Sequence, residues 1–183
     1  MPTPRIILLL TLSTLLALCA CTGDSITDDS PSDPVVDDDG TIFVDGIAIE
    51  PAEPELVLSD EEWRERLSDE EYEILRSHGT EPAFSGDLLD NDAQGAYVCA
   101  GCGHELFSSE TKYDSETGWP SYWEPIGEDS VGTEIDESFN MLRVEVHCAH
   151  CAGHLGHIFP DGPDPTGLRY CINSLALNFE PAQ

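Results

Sequence analysis

Basic side chains are scarce in this sequence. Its 183 residues include only 7 Lys and Arg against 37 Asp and Glu, and Lys112 is the one lysine. The formal net charge of −30 opposes binding to a phosphate backbone, and the sequence contains no cluster of basic residues. The composition therefore excludes nucleic acid as a partner.

Long apolar runs are also absent, except at the N-terminus. Residues 6–20 are apolar apart from Thr, Ser and Cys, and they follow the basic Arg5. This run is shorter than the ~20 residues that a comfortable membrane span needs, and its order is typical of a secretory signal. We therefore interpret residues 1–20 as a signal peptide.

The end of this signal resembles a bacterial lipobox. Leu18 lies three residues before the predicted cleavage, Ala20 lies immediately before it, and Cys21 follows it. Cys21 would become the lipidated first residue of a lipoprotein of the bacterial cell envelope, periplasmic or on the outer surface, with the lipid as its only membrane contact. The alternative is an ordinary cleaved signal, because Cys19 is unusual two positions before a lipobox cleavage.

Residues 21–55 are predicted to form an acidic flexible tether. Asp, Ser, Pro and Gly dominate this segment, so it has too little apolar area to offset the entropy cost of ordering. Within it, two short apolar runs flank Asp45-Gly46, a pattern that favours a small hairpin. Residues 56–183 are long enough to form one domain with its own core.

Two helices and many short strands are predicted for this domain. Ser59 and Ser68 each precede Asp-Glu-Glu, and these capping boxes predict helices over residues 60–66 and 69–77. His78-Gly79 is expected to end the second helix. The following apolar runs are short, several alternate at period two, and Gly, Pro, Asn and Asp interrupt them. The pattern predicts a mainly antiparallel β domain with helices at its N-terminal edge.

Four cysteines form two C-x-x-C pairs, and their spacing predicts one structural Zn²⁺ per chain. The two-residue gap lets both sulfurs of a pair reach one tetrahedral ion at ~2.3 Å. The four cysteines are Cys99, Cys102, Cys148 and Cys151. Two alternatives remain open: a nearby histidine, His150 or His154, replaces a thiolate as ligand, or the pairs act as dithiol switches in an oxidising envelope.

Cys171 is left alone once the two pairs are assigned to each other, and it lies in the last of four sequence motifs. The motifs are Tyr97-Val98-Cys99-Ala100-Gly101-Cys102, Gly118-Trp119-Pro120-Ser121-Tyr122, His154-Leu155-Gly156-His157-Ile158-Phe159-Pro160-Asp161-Gly162 and Pro165-Thr166-Gly167-Leu168-Arg169-Tyr170-Cys171-Ile172-Asn173-Ser174. In this order they resemble the motifs of the B-type methionine-R-sulfoxide reductases, and the match runs from about residue 56 to residue 179. The resemblance implies two small antiparallel sheets stapled by a zinc site with four cysteine ligands. It also implies thiol-dependent reduction of methionine-R-sulfoxide, peptide-bound or free, for the repair of oxidised envelope proteins.

The side chains suit this chemistry without the family name. Reduction of a sulfoxide needs a soft nucleophile at sulfur and a proton for the departing oxygen. Cys171 supplies the nucleophile, and Arg169, two residues earlier on the same strand face, is expected to favour its thiolate. His154 and His157 titrate near neutrality and are the candidate proton donors.

Four more residues belong to the predicted site. Asp161 is expected to order a water or an imidazole behind the histidines, and Asn173 to hydrogen-bond the oxygen or a histidine. Trp119 offers a flat apolar wall for the S-methyl group, and Tyr122 of the same motif is assigned to substrate binding. The spacing alone is equally consistent with structural roles for three of these residues. Trp119 would then be a core residue, Asp161-Gly162 a turn and Arg169 a surface ion-pair residue.

One position departs from the common family pattern. Many members carry a resolving cysteine just before Gly-Trp-Pro-Ser, where this chain has Thr117. With Cys19 in the signal peptide and Cys21 lipidated, no cysteine of the mature chain remains free to close a disulfide with Cys171, so the sequence predicts an external thiol or a thioredoxin-like protein as reductant. The rival function is a non-catalytic zinc scaffold used as an interaction module, which has no evident need for the lone Cys171.

Overall fold

The computed structural model describes residues 34–183. The predicted signal peptide and Cys21 lie outside the described residues. Among residues 34–183, no helix is both long and apolar enough to cross a membrane.

The two helices begin and end where their caps predict. Helix α1 is Asp60–Arg66 and helix α2 is Asp69–Ser77, and both capping boxes are formed, with Glu62 and Glu71 at the third helical positions. His78 ends α2 in the left-handed conformation. The buried side chains of this region are Trp63, Leu67, Tyr72, Ile74 and Leu75, all of them part of the core.

Every strand pairing in the described residues is antiparallel, which confirms the mainly β fold. One sheet has six strands in the order β6-β7-β11-β10-β9-β8, and a second has the order β12-β4-β5. A third, small sheet contains β1, β2 and β3. The strands are β1 Val35–Val36, β2 Ile42–Val44, β3 Ile47–Ala48, β4 Gly95–Cys99, β5 Glu105–Ser108, β6 Lys112–Tyr113, β7 Ser121–Tyr122, β8 Val131–Asp136, β9 Arg143–Cys148, β10 His154–Phe159, β11 Arg169–Ile172 and β12 Leu177–Pro181.

The hairpin of β2 and β3 lies within the range predicted as tether, yet it packs on the domain. Its turn, Asp45-Gly46, has positive φ at both residues, as a tight two-residue hairpin turn requires. Val44 and Ile47 are buried in the core, and the Thr133 and Glu50 backbones are joined by a hydrogen bond of 2.8 Å. The average composition of residues 21–55 is acidic and predicts a tether, although a few apolar side chains order the C-terminal part of this segment.

The six-stranded sheet brings distant parts of the chain together around Cys171. Cys171 on β11 lies opposite His157 on β10 and Ser121 on β7. His157 in turn lies opposite Glu145 on β9, and the β9–β10 register shifts between His154 and Gly156. Directly opposed residues point to the same face of a sheet, so the thiol, the imidazole and the carboxylate share one face.

Candidate active site

The four paired cysteines form one cluster where β4 and β9 end. Each pair makes the same tight turn, in which the fifth residue donates its backbone N–H to the first cysteine at 2.8 Å, Gly103 to Cys99 and Ala152 to Cys148. The closest sulfurs are 3.7 Å apart for Cys99 and Cys151, and 3.6 Å for Cys102 and Cys148.

These sulfur separations fit a bound metal rather than disulfides. A disulfide needs about 2.05 Å, whereas four thiolates at ~2.3 Å from one tetrahedral ion lie about 3.8 Å from one another. All four sulfurs are within 4.8 Å of each other, and neither His150 nor His154 joins the group. The donor set therefore fits a closed structural metal site with four cysteine ligands.

Cys171 lines a pocket of about 130 Å³ on the shared face of the sheet. The pocket combines the thiol, an imidazole, a guanidinium, an amide and two aromatic walls. Its lining residues are Thr80, Trp119, Arg143, Gly156, His157, Phe159, Cys171 and Asn173. The structure thus brings four of the predicted site residues together in one small cavity.

Burial controls the protonation of Cys171. It raises the pKa of the thiol, while the charge of Arg169 and hydrogen bonds from Thr117 and Arg169 oppose this rise without cancelling it. Arg169 makes a bidentate ion pair with Asp161, in which both N···O distances are 2.8 Å. The guanidinium therefore acts in the predicted direction, but Asp161 offsets part of its charge, and the resting residue is a thiol.

His157 is held by an acid that the sequence analysis did not identify. Its Nε2 lies 2.7 Å from Oδ2 of Asp136 on β8. Against the effect of burial, hydrogen bonds from Ser138 and His157 and the charge of Arg143 hold the pKa of Asp136 well below its usual range. Burial lowers the pKa of His157, so this imidazole is neutral at rest and can accept a proton.

His154 is almost fully buried and belongs to a second acid–imidazole cluster. Its Nδ1 lies 2.7 Å from Oε1 of Glu145, and Nδ1 of His78 lies 3.1 Å from the same carboxylate. A carboxylate only accepts, so Nδ1 of His154 donates in this contact, and Nε2 has no hydrogen-bond partner among the described residues. Although burial opposes it, hydrogen bonds from His154 and His78 lower the pKa of Glu145 to about 2.

Two predicted site residues lie elsewhere than expected. Asp161 pairs with Arg169 rather than standing behind a histidine, because β10 has ended at Phe159 and the chain has turned towards β11. Tyr122 is fully buried and stacks on Phe107, with ring centroids 4.3 Å apart. Side chains alternate along a strand, and since Ser121 lies opposite Cys171, Tyr122 points into the core instead of the pocket.

The remaining predicted residues reach the pocket in a fixed arrangement. Asn173 accepts a hydrogen bond from the Glu81 N–H at 3.1 Å and donates to the Leu155 carbonyl at 2.9 Å. Trp119 donates its indole N–H to the Glu81 carbonyl at 3.1 Å. Asn173 and Trp119 therefore form walls whose orientation is set by one loop.

The acids that contact the histidines are Asp136 and Glu145, and only Glu145 could have been recognised from the sequence pattern. Glu145 alternates with Val144 and Val146 in β9, and all three are buried. A carboxylate inside such a run needs a partner, which marks Glu145 as a candidate. Asp136 left no comparable signal, because it ends β8 beside ordinary polar residues.

Comparisons with known proteins agree with this geometry. A family model described as the SelR domain matches residues 67–181. The peptide methionine sulfoxide reductase MsrB of Leptospira interrogans is 54% identical over 126 residues, covering 69% of this chain and 96% of the relative. The MsrB of Agrobacterium fabrum is 52% identical over 128 residues, covering 70% and 95%. The MsrB of Methanosarcina barkeri is 55% identical over 122 residues, covering 67% and 86%.

The family match contains both cysteine pairs, the pocket and the lone thiol, and the three reductases are similar to this chain over most of its length. Their identity is well above 30% over nearly their full length. The chain therefore belongs to the SelR-domain family of B-type methionine-R-sulfoxide reductases.

Proposed function

We propose that this chain reduces methionine-R-sulfoxide in proteins to methionine through a sulfenic acid on Cys171. The observation that carries the proposal is the pocket in which the Cys171 thiol, the His157 imidazole and the Trp119 wall meet. A zinc scaffold that served only as an interaction module would have no use for a thiol in such a pocket, and the enzyme relatives share the whole matched segment.

The chemistry transfers one oxygen atom from substrate sulfur to enzyme sulfur. The Cys171 sulfur attacks the sulfoxide sulfur while the thiol proton passes to the sulfoxide oxygen, with His157 across the strand pair as the relay. The oxygen then moves to Cys171, and methionine leaves as the thioether. Cys171 has become a sulfenic acid, and the substrate has gained the electrons that Cys171 lost.

An external thiol returns Cys171 to its reduced state. Thr117 is near enough to the Cys171 sulfur to oppose the rise in the pKa of the thiol, so the residue at the usual resolving position is close to the thiol but carries no sulfur of its own. The other cysteines in residues 34–183 are the four cluster ligands. One thiol therefore attacks the sulfenic sulfur and releases water, and a second thiol reduces the mixed disulfide.

We expect methionine-R-sulfoxide, added at one equivalent without a reductant, to leave Cys171 as a sulfenic acid. Mass spectrometry should detect one added oxygen that dimedone traps, with no intramolecular disulfide. Thr117→Cys should instead form a disulfide with Cys171 and increase turnover with thioredoxin, because the two positions are in contact.

Thr117→Ser is the matched control, because it keeps a hydroxyl and supplies no thiol. It should behave as the unsubstituted chain in both assays. A disulfide between Cys171 and any of the four paired cysteines during turnover would contradict both the direct external reduction and the permanent ligand role of those four.

We further propose that the bound metal is a single structural Zn²⁺. Four cysteine ligands with mutual distances near those of a tetrahedral thiolate site support it. Four protein ligands leave no open coordination position, so the metal maintains the fold and the pocket residues carry out the reaction.

Anchoring at the cell envelope is the third part of the proposal. The basic and apolar order of residues 5–20 and the lipobox-like Leu18 to Cys21 support a lipoprotein whose Cys21 carries the lipid. In a bacterial host, the full chain should fractionate with membranes. The Cys21→Ala chain should either be found in the soluble fraction or remain with membranes only as a precursor whose signal peptide has not been cleaved. A Cys21→Ala protein that is processed and membrane-bound like the original would contradict lipidation.

A further inference from the structure

The Cys171 pocket is too small to enclose more than a single side chain. Its volume is about 130 Å³, whereas sites that enclose a whole small molecule typically have ~300–1,000 Å³. The residues on either side of an oxidised methionine must therefore lie outside the pocket, on its rim. The side chains on that rim decide which polypeptides bind well.

Two solvent-exposed phenylalanines lie beside the pocket walls, one hydrogen-bonded to Gly118 next to Trp119 and one near Arg143. Phe139 is 85% exposed and Phe84 is 71% exposed, and within residues 34–183 they are the most exposed aromatic side chains. A large apolar side chain at such exposure contributes little to packing, and exposed apolar groups beside a cleft are typical of binding surfaces.

Both phenylalanines also have a backbone conformation that bulky residues avoid. The φ angle is +64° at Phe84 and +56° at Phe139. Non-glycine residues at positive φ are uncommon, and they concentrate at functional sites where the surrounding structure holds them. Two strained, exposed phenylalanines near one pocket are difficult to explain as packing.

Hydrogen bonds hold each phenylalanine in place. Phe84 donates its backbone N–H to the carbonyl of Gly118 at 2.8 Å, directly beside Trp119 of the pocket wall. The turn that carries Phe139 is closed by the Ser138 N–H, which donates to Oδ1 of Asp136 at 2.8 Å. The same Asp136 accepts from His157, so the turn is connected to the reaction site.

The two rings stand next to different parts of the pocket wall. The Arg143 guanidinium, which lines the pocket, lies 6.0 Å from the Phe139 ring centroid. On the Trp119 side, Phe84 lines a groove of about 660 Å³ that shares Trp119 with the pocket. The groove provides room for an extended chain that leaves the pocket past Phe84.

We propose that Phe84 and Phe139 bind apolar residues that flank methionine sulfoxide in an extended polypeptide. The favoured substrates are thus those with large apolar side chains next to the oxidised methionine. This inference rests on the reductase function proposed above and assigns the residues that select among its protein substrates.

The test compares three R-sulfoxide substrates with dithiothreitol as reductant: N-acetyl-methionine sulfoxide amide, a peptide with leucines flanking the sulfoxide, and the same peptide with glycines. Phe84→Asn and Phe139→Asn remove the rings, and asparagine tolerates positive φ, so the fold is retained. In the double variant, kcat/KM for the leucine peptide should fall about tenfold relative to that for the small substrate, through KM. The glycine peptide should change little.

Val57→Asn is the matched control, because Val57 is 77% exposed but lines none of the cavities around the pocket. It should leave the ratio between the substrates unchanged. An equal loss for all three substrates, or no loss for the leucine peptide, would overturn the docking role. If the unsubstituted chain failed to reduce even the small substrate, the reductase function itself would be refuted instead.

Discussion

Replacement of Cys99 by serine is expected to unfold the domain rather than merely to slow its chemistry. Cys99 ends β4 in the three-stranded sheet that also contains β5 and β12, and Cys148 ends β9 in the six-stranded sheet, so a metal ion bound by the four cysteines would fasten the two sheets to each other. Structural zinc sites bind with about 10–16 kcal/mol, which equals or exceeds the ~5–15 kcal/mol that separates most folded domains from their unfolded chains.

The measurement is a thermal melt followed by circular dichroism, together with the metal content per chain. Cys99→Ser, or the unsubstituted chain treated with a strong chelator, should lose its cooperative transition. Cys171→Ser is the control, because it should abolish turnover while it keeps one metal ion and the original melting temperature. A metal-free chain with an unchanged melt would show that the cluster is not structural.

Replacement of Glu145 by glutamine is expected to lower both stability and activity. The side chain is only 7% exposed, and its pKa falls from 4.5 to about 2 on folding. A carboxyl group whose pKa is lower in the folded protein than in the unfolded chain stabilises the fold. This stabilisation is fully present at a pH above the pKa of the unfolded chain, and it is lost as the pH falls through the pKa of the folded protein. The carboxylate therefore contributes about 3 kcal/mol above pH 4.5, and this contribution disappears between pH 4.5 and about 2.

His78 adds the opposite pH dependence on the same carboxylate. Its hydrogen bond to Glu145 raises the pKa of His78 above 6.5, against burial and the nearby Arg76, with a further contribution from Glu134. That stability is present below pH 6.5 and is lost as the pH rises through the raised value. The cluster as a whole should be most stabilising between about pH 4.5 and 6.5.

Denaturant melts of Glu145→Gln across this range test the expectation. The loss in free energy of unfolding relative to the unsubstituted chain should be largest between about pH 4.5 and 6.5 and should shrink as the pH approaches 2. Turnover should also fall, because His154 loses the anion that holds its ring 5.5 Å from the ring of His157. Glu134→Gln is the matched control, since Glu134 lies directly opposite Glu145 on β8 but is exposed. Equal effects of the two substitutions would refute a special role for Glu145.

Much of the fold and of the candidate site could be predicted from short-range patterns in the sequence. The two helices follow from capping boxes of four residues, and the cysteine cluster from gaps of two residues, so neighbouring residues were sufficient. The family motifs placed Cys171, His157, Trp119 and Asn173, which the structure brings together.

Features that depend on strand pairing could not be predicted in the same way. Asp136 and Glu145 reach the histidines from separate strands, and their roles depend on the register of β8, β9 and β10. Tyr122 was assigned to the substrate by its motif, but the pairing of Ser121 with Cys171 turns it inward. Asp161 lies near the histidines in sequence, yet the turn after β10 directs it to Arg169.

The shifted register between His154 and Gly156 also limits how this site can evolve. Residues three apart in a regular strand point to opposite faces, yet here both imidazoles contact carboxylates of the same face and their centroids are 5.5 Å apart. The pair therefore depends on one irregularity of the backbone as much as on the two histidines themselves. A regular pairing of the same residues would place the two rings on opposite faces and leave every functional side chain unchanged, so a change that straightens this strand would disrupt the site even with both histidines kept.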